Sequence, residues 1–173
     1  PDRNWSYFYL PDPNGGFSWE TETALLYDNR SDMYHPGTYY PNTLPAKPAT
    51  VYLASMADSK GQLLESGKTY KLNVPKDIPV KQFWALIVYD YATWAFIYNP
   101  LNRVGLSSYD MPNMKLNADG SADIYIGPKA PKGLESNWIP TEGKRPFPVM
   151  RIYGGDEAFW NKSFKLPDLE MVP

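Results

Sequence analysis

The chain has 173 residues, 43% of them hydrophobic, and its 17 lysines and arginines nearly balance 19 aspartates and glutamates. This length and apolar content predict one core of ordinary size, and the lack of a basic stripe argues against nucleic acid as a partner. Cysteine is absent and histidine occurs once, which excludes disulfides, thiolate nucleophiles and sites built from cysteine or several histidines. We therefore expect no metal and no cofactor. No apolar run approaches the roughly 18 residues that cross a bilayer, so no membrane span is expected.

The N-terminal part combines aromatic residues with many turn formers. Residues 5–10 predict a strand, and the acidic start of residues 20–29 permits a short helix. Residues 31–49 contain four prolines without periodicity and predict an extended connection. We therefore expect residues 1–49 to be an extended connecting segment packed on the core. Because the first residue is proline, we also expect a processed product or a portion of a longer protein.

From residue 50 onward, alternating apolar residues predict consecutive short strands. Residues 82–90 are apolar on both faces, as in a strand inside a sheet, and a hairpin should connect them to 93–99. Proline, glycine and lysine predict a long loop over residues 128–147. The pattern predicts an all-β fold for residues 50–173, an antiparallel β-sandwich of jelly-roll type with little helix. The predicted strands are 50–56, 68–74, 82–90, 93–99, 114–117, 122–127, 148–154 and 164–171.

The segment "LNADGSADIYIG", residues 116–127, permits two interpretations. Its regularly spaced oxygen-bearing side chains are typical of a calcium loop, which needs glycine at position six and glutamate at position twelve. Counted from Asn117, glycine stands at position four and Pro128 at position twelve, so the loop fails both requirements. Asp119 and Gly120 between apolar residues are typical of a tight β-hairpin, which is the interpretation we favour.

Two arginines near strand ends are candidates for binding an acid group. Arg151 should share a strand face with Val149 and Tyr153, and Arg103 lies in a loop after a strand. Their guanidinium groups can clamp a carboxylate or sulfate. They can also hold loops in place by pairing with internal acids. We favour this structural role, because paired arginines are more often structural.

Other polar and aromatic residues permit similar alternatives. Trp138 can stack on a sugar ring, with Asn137 supplying hydrogen bonds, or it can close the end of the sandwich. His35, the single imidazole, can act as a base or metal ligand, but a loop histidine without such a role is favoured because no carboxylate partner is identifiable. No phosphate-binding loop, nucleophile elbow or zincin motif occurs.

The second half contains a recognisable series of blocks: "FWALIVYD", "YNPLNRVGLSS", "LNADGSADIYIGPKAP", "SNWIP", "PFPVMRIYGG" and "FKLPDLE", preceded by Asp58, Gly61 and Tyr70. In order and spacing they resemble the bacterial module called domain of unknown function 1214 (DUF1214), which usually follows another module, DUF1254. The departures are Val104, where the family usually has tyrosine, and Ile139, where it commonly has leucine. The resemblance implies a jelly-roll sandwich cut from a longer, often exported protein, hence a periplasmic or secreted location and a preceding module or another subunit as partner.

Two functional hypotheses follow. The favoured one is a ligand-binding or domain-packing module without complete catalytic machinery. The alternative is an enzyme module acting on a carbohydrate-like or anionic small molecule in the cell envelope, with Tyr153 or Tyr89 transferring protons. Both hypotheses use the same ligand-binding candidates, expected to converge at one end of the sandwich: Asn99, Arg103, Asn137, Trp138, Arg151 and Tyr153.

Overall fold

The computed structural model describes residues 4–7 and 49–173. The possible helix at 20–29, most of the expected connecting segment and His35 lie outside these residues. The described strands are β1 (Trp5–Tyr7), β2 (Thr50–Ser55), β3 (Thr69–Val74), β4 (Val80–Asp90), β5 (Gly105–Ser107), β6 (Ala122–Gly127), β7 (Trp138–Pro140), β8 (Pro146–Gly155) and β9 (Glu170–Val172). Helical structure in these stretches is limited to two 3-10 turns, Ser108–Asn113 and Glu135–Asn137, and the single-turn helix α1, Glu157–Trp160.

The strands form two sheets. The five-stranded sheet has the order β1-β2-β8-β4-β5 and the four-stranded sheet has the order β7-β6-β3-β9. Neighbouring strands are antiparallel except for β6 and β7, which are parallel. No helix in the described stretches is long and apolar enough to span a membrane.

One apolar core joins the two sheets. Alternation places Tyr70, Leu72 and Val74 of β3 on the buried face, as the sequence predicts. They belong to the same cluster as Leu86 of β4 and Ile152 of β8, which come from the other sheet. The predicted all-β sandwich is therefore confirmed, and its jelly-roll connectivity stays a prediction.

The opposite, outward face of the five-stranded sheet carries its own partly buried side chains. Cross-strand pairing places Tyr52 of β2, Arg151 of β8, Ala85 of β4 and Ser107 of β5 in one row. Because alternate residues of a strand share a face, this face also holds a second apolar cluster built on Ala54, Phe147 and Val149. The row positions an arginine among aromatic and small residues.

The strand predicted at 93–99 is wrong. Only an isolated bridge between Tyr89 and Phe96 forms there, because a turn follows β4, with the Asp90 carboxylate accepting from Ala92 N at 3.2 Å and from the Thr93 hydroxyl at 3.0 Å. The edge of β4 pairs instead with β5, and Val88 N donates to Val104 O at 2.9 Å. The predicted hairpin is thus replaced by a longer connection.

The structure also differs from the prediction in the region 128–147 and in the arm before the turn at Asp119 and Gly120. The region 128–147, predicted as one long loop, contains β7, which pairs with the edge of β6. The turn at Asp119 and Gly120 is confirmed, since Asn117 N donates to Ser121 O at 2.8 Å and Gly120 has φ 83°. The strand predicted at 114–117 is wrong, because this arm contributes only the bridge between Leu116 and Ala122.

Candidate functional site

Asn99 organises the loop that carries Arg103. Its buried amide donates to the carbonyl oxygens of Ile97 and Arg103 at 3.1 and 2.9 Å, and its Oδ1 accepts from the backbone N–H groups of Leu101 and Arg103 at 3.2 and 3.1 Å. These four bonds use the hydrogen-bonding capacity of the amide. Asn99 therefore shapes the loop.

Arg103 joins the two sheets. Its Nη1 donates to the carbonyl oxygens of Glu135 and Trp138, at 2.6 and 3.1 Å. These acceptors belong to the 3-10 turn and to β7, so the guanidinium holds the connection before β5 against the edge of the other sheet. Carbonyl oxygens satisfy donors without neutralising the charge, and no ion pair to Arg103 occurs among the described residues.

Asn137 and Trp138 are also tied into the backbone. Asn137 is fully buried; its Oδ1 accepts from Lys115 N at 2.8 Å and its amide donates to the carbonyl oxygens of Lys115 and Asp123 at 2.9 and 3.0 Å. The indole of Trp138 donates to Gly127 O at 2.9 Å. These contacts fit the structural alternative for Trp138, in which the indole closes the sandwich, and they leave the Asn137 amide no free donor.

Arg151 lies at the centre of a group of phenols, the Arg151 cluster, which comprises Arg151, Tyr52, Tyr89 and Tyr153. Nη2 of Arg151 donates to the Tyr89 hydroxyl, and the guanidinium carbon lies 4.9 Å from the centre of the Tyr52 ring. Tyr153 interacts with both Arg151 and Tyr52. Its ring stacks on Phe83 at 4.0 Å between centroids, with an interplanar angle of 14°. Three strands thus contribute to one cluster.

The Arg151 cluster combines one guanidinium with three phenols, each of which can both donate and accept a hydrogen bond. No described carboxylate pairs with Arg151, and its buried Nε has no hydrogen-bond partner there. Burial lowers the pKa of Arg151, but the oxygens of Tyr89, Tyr153 and Tyr52 outweigh it and the net pKa is raised. Burial raises the pKa of Tyr52 against the opposing effect of Arg151, so at neutral pH Tyr52 is an uncharged phenol. A full positive charge therefore lies half-buried, and residues 4–7 and 49–173 offer it no negative partner.

A cavity of about 480 Å³, the β5 cavity, adjoins this part of the sheet. Ala85 and Ile87 of β4 contribute to it, and Ala85 is the cross-strand neighbour of both Arg151 and Ser107. Ser107 Oγ donates to Asp110 Oδ2 at 2.8 Å, which fixes the adjoining 3-10 turn. The lining consists of Ala85, Ile87, Leu101, Asn102, Arg103, Val104, Gly105, Leu106, Ser107, Asp110, Asn113 and Ser136.

The structure distributes the six predicted site residues over two places. Asn99, Arg103, Asn137 and Trp138 meet at the edges of β5 and β7, whereas Arg151 and Tyr153 lie together on the outward face of the five-stranded sheet. Sequence reasoning missed Tyr52, since alternation gives the face of a residue within its strand but not the neighbouring strand. The cavity residues Asn113 and Ser136 were missed as well, because isolated polar loop residues carry no pattern.

The described residues contain no group of three or more histidine, aspartate or glutamate side chains that could hold a metal ion. In the β5 cavity, the Ser107 hydroxyl donates to the Asp110 carboxylate, which also accepts from Ser107 N at 2.7 Å. This pair caps the 3-10 turn, and none of the described side chains that contact Ser107 is an imidazole or amine base.

Comparisons with known proteins identify one family and similar solved structures whose descriptions name no activity. A family model described as "Protein of unknown function (DUF1214)" matches residues 49–157. The crystal structure of the VPA0106 protein from Vibrio parahaemolyticus is similar with 26% identity and a TM-score of 0.64, covering 86% of this chain and 37% of that one. A putative uncharacterized protein from Burkholderia cenocepacia shares the fold, with 17% identity and a TM-score of 0.53, over 82% of this chain and 33% of its own. The chain thus spans about a third of the length of these structures, and no curated protein matches it.

Proposed function

Since the chain belongs to the DUF1214 family, whose description names no activity, we propose a function from its own side chains: it is a module that binds a small anion at the Arg151 cluster. One observation carries the proposal, namely the half-buried Arg151 guanidinium without a carboxylate partner among the described residues. A buried charge is costly unless it is paired. An anionic ligand would supply the missing partner.

The tyrosines support the same function. Phenol hydroxyls donate hydrogen bonds to carboxylate, sulfate or phosphate oxygens. Tyr52 and Tyr153, which hydrogen-bond to each other, lie beside the guanidinium. The Tyr89 hydroxyl already accepts from Arg151, so it orients the guanidinium and keeps its own proton for another acceptor. Because the donors are held by three paired strands, they need little reordering on binding, which favours affinity.

The experiment is a titration of the ¹⁵N-labelled chain with sodium acetate at constant ionic strength, followed by amide chemical shifts. We expect saturable changes in β2, β4 and β8. Arg151→Gln should abolish them, whereas Lys60→Gln, which removes one exposed charge elsewhere, should leave them unchanged. Equal saturable changes in the wild-type chain and in Arg151→Gln would refute the proposal, as would a wild-type chain that shows none.

A second function, packing against another module, is supported by a different surface. Four large apolar side chains are exposed along one short stretch: Trp94 (45%), Phe96 (57%), Tyr98 (83%) and Leu101 (58%). Exposed apolar patches commonly mark interaction surfaces. The module preceding DUF1214 in the expected family arrangement would be the partner. The exported location expected from the resemblance stays a prediction.

Oxidative footprinting tests the packing function. In the full-length gene product, Tyr98 and Leu101 should be modified several-fold more slowly than in the isolated chain, because a packed surface excludes the radical. Leu63, which is 62% exposed on a different loop, is the reference side chain. Equal modification rates for Tyr98 and Leu101 in both proteins would show that this surface has no partner within the gene product.

A further inference from the structure

We infer that the β5 cavity binds a short peptide with free ends, which lies extended and antiparallel to β5 and pairs with the backbone of Gly105. The site is separate from the Arg151 cluster, so its ligand is independent of the anion proposed above. Three features of the chain support this occupant: a free backbone position at the edge of β5, a charge of opposite sign at each end of that edge, and the dimensions of the cavity.

Gly105 presents its backbone to the cavity at the free edge of the five-stranded sheet. β5 is the last strand of that sheet, and Val88 N of β4 donates to Val104 O at 2.9 Å. Hydrogen-bonded and non-hydrogen-bonded pairs alternate in an antiparallel ladder, so Gly105, which lies opposite Ile87, directs its N–H and C=O away from β4. Residues 4–7 and 49–173 supply neither group with a hydrogen-bond partner. Such an edge position can pair with an extended chain.

The edge positions on both sides of Gly105 are already occupied, which confines the pairing to this residue. The Asn99 side chain accepts from Arg103 N at 3.1 Å and donates to Arg103 O at 2.9 Å. The Asp110 carboxylate accepts from Ser107 N at 2.7 Å. Because one residue of an antiparallel chain can exchange both hydrogen bonds with Gly105, the edge is suited to a short peptide rather than to a long strand.

The edge carries a positive charge at one end and a negative charge at the other. Arg103 uses Nη1 for its bonds to the carbonyl oxygens of Glu135 and Trp138, and these bonds leave the charge of the guanidinium uncompensated. Asp110 uses Oδ2 for its two bonds with Ser107. Within the part of the chain that the structure describes, neither Arg103 nor Asp110 forms an ion pair. Both line the β5 cavity together with Gly105.

These charges set the direction of the peptide. A C-terminal carboxylate fits beside Arg103, and an N-terminal ammonium fits beside Asp110. The peptide then runs antiparallel to β5, which is the direction in which one residue exchanges both hydrogen bonds with Gly105. At about 3.3 Å per residue, the four steps from Arg103 to Ser107 span about 13 Å, the length of three or four extended residues. The cavity of about 480 Å³ lies within the roughly 300 to 1,000 Å³ typical of ligand sites.

The experiment titrates trialanine into the ¹⁵N-labelled chain at constant ionic strength and follows amide chemical shifts. The Gly105 amide proton should shift downfield in a saturable manner, because it gains an acceptor. N-acetylation and C-terminal amidation of trialanine should each weaken binding about tenfold, the effect of losing a hydrogen bond to a charged group. N-methylation of the central residue, which removes the N–H that faces Gly105, should weaken binding by about the same factor. N-methylation of the third residue, whose N–H faces away from β5, should change it less than about twofold.

Two variants assign the ends of the peptide. Arg103→Gln should remove the preference for the free carboxylate and keep the preference for the free ammonium, and Asp110→Asn should do the reverse. A merely structural role of either residue would weaken all the peptides equally. Lys60→Gln and Asp77→Asn, at exposed positions outside the cavity, remove the same charges and should leave every affinity unchanged.

The peptide comparisons use the wild-type chain alone, so they decide the outcome even if a variant does not fold. Trialanine that gives no saturable shift at Gly105 would overturn the inference, as would equal binding of the centrally N-methylated peptide. If trialanine blocked at both ends binds as tightly as free trialanine, the site takes an internal segment of a protein chain and the free peptide is the wrong ligand. Each of these results leaves anion binding at the Arg151 cluster untouched.

Discussion

The guanidinium carbon of Arg151 lies 4.9 Å from the centre of the Tyr52 ring, on the cross-strand neighbour of Arg151 in β2. Tyr89, from the strand on the other side, accepts a hydrogen bond from the same guanidinium. The side chain is therefore held between two strands by a ring contact and by a hydroxyl. This arrangement fixes the position of the charge in the absence of a carboxylate partner from the described residues.

Replacing Tyr52 by leucine should remove the ring contact and destabilise the protein by about 1 kcal/mol, the usual size of a partly exposed cation–π contact. Tyr52→Phe keeps the ring and should cost less than half as much. Urea unfolding measures both values, with Tyr98→Leu as control because Tyr98 is 83% exposed. Equal losses for leucine and phenylalanine would show that the hydroxyl, rather than the ring, holds Arg151.

Asn137 should be among the most sensitive positions of the fold. Asn137→Ala leaves Lys115 N and the carbonyl oxygens of Lys115 and Asp123 without their amide partner in a fully buried place. We expect a loss of about 3 kcal/mol, or a fall in Tm of about 6 to 12 °C for a protein of this size. Thermal unfolding measures it, and the exposed Asn113→Ala should shift Tm by less than about 2 °C. A small shift for Asn137→Ala would mean that water replaces the amide.

Asp90 should make the stability depend on acid pH. Burial raises the pKa of Asp90, but the Ala92 N–H, the Thr93 hydroxyl and Lys144 outweigh it, so the folded-state pKa lies below the ordinary value. The carboxylate therefore stabilises the fold above the unfolded-state pKa near about 4, and this contribution is lost as pH falls through the folded-state pKa. Wild type and Asp90→Asn should differ in unfolding free energy at pH 6, and this difference should shrink as pH falls through the folded-state pKa of Asp90. A difference that does not change with pH would contradict this prediction, and Asp77→Asn, at an exposed position, controls for the loss of a carboxylate.

Gly120 should resist substitution because of its backbone. Its φ of 83° lies in the left-handed region, and a Cβ there would meet the flexible Lys76 side chain at 2.9 Å from Cδ. Since that side chain can move, the backbone dominates, and Gly120→Ala should destabilise the protein by about 1 to 2 kcal/mol. Gly120→Asn should cost less, because asparagine tolerates this conformation. Denaturant unfolding compares them, and Ala118→Ser in the same turn should be neutral within about 0.5 kcal/mol. Equal costs for alanine and asparagine would assign the effect to crowding by Lys76.

Local rules account for the predictions that succeeded. Side chains alternate along a strand, so the sequence places Tyr70, Leu72 and Val74 on one buried face. The same rule puts Arg151 on a face with Tyr153. The turn at Gly120 depends on neighbouring residues alone and was predictable for that reason. The strand expected at 93–99 failed because β4 pairs with β5 instead, a competition between segments that local pattern does not describe.

The candidate site was likewise predictable from the sequence only in part. The sequence by itself determined the all-β class, the face of each strong strand and the presence of two candidate arginines, since these depend on composition and on the twofold repeat of a strand. Only the tertiary structure decided that Arg103 donates to carbonyl oxygens of the other sheet and that Arg151 lies between Tyr52 and Tyr89. Strand order and register bring these residues together from distant parts of the chain. They are set by the packing of the whole sandwich, because shifting a strand by one residue would turn every side chain to the opposite face.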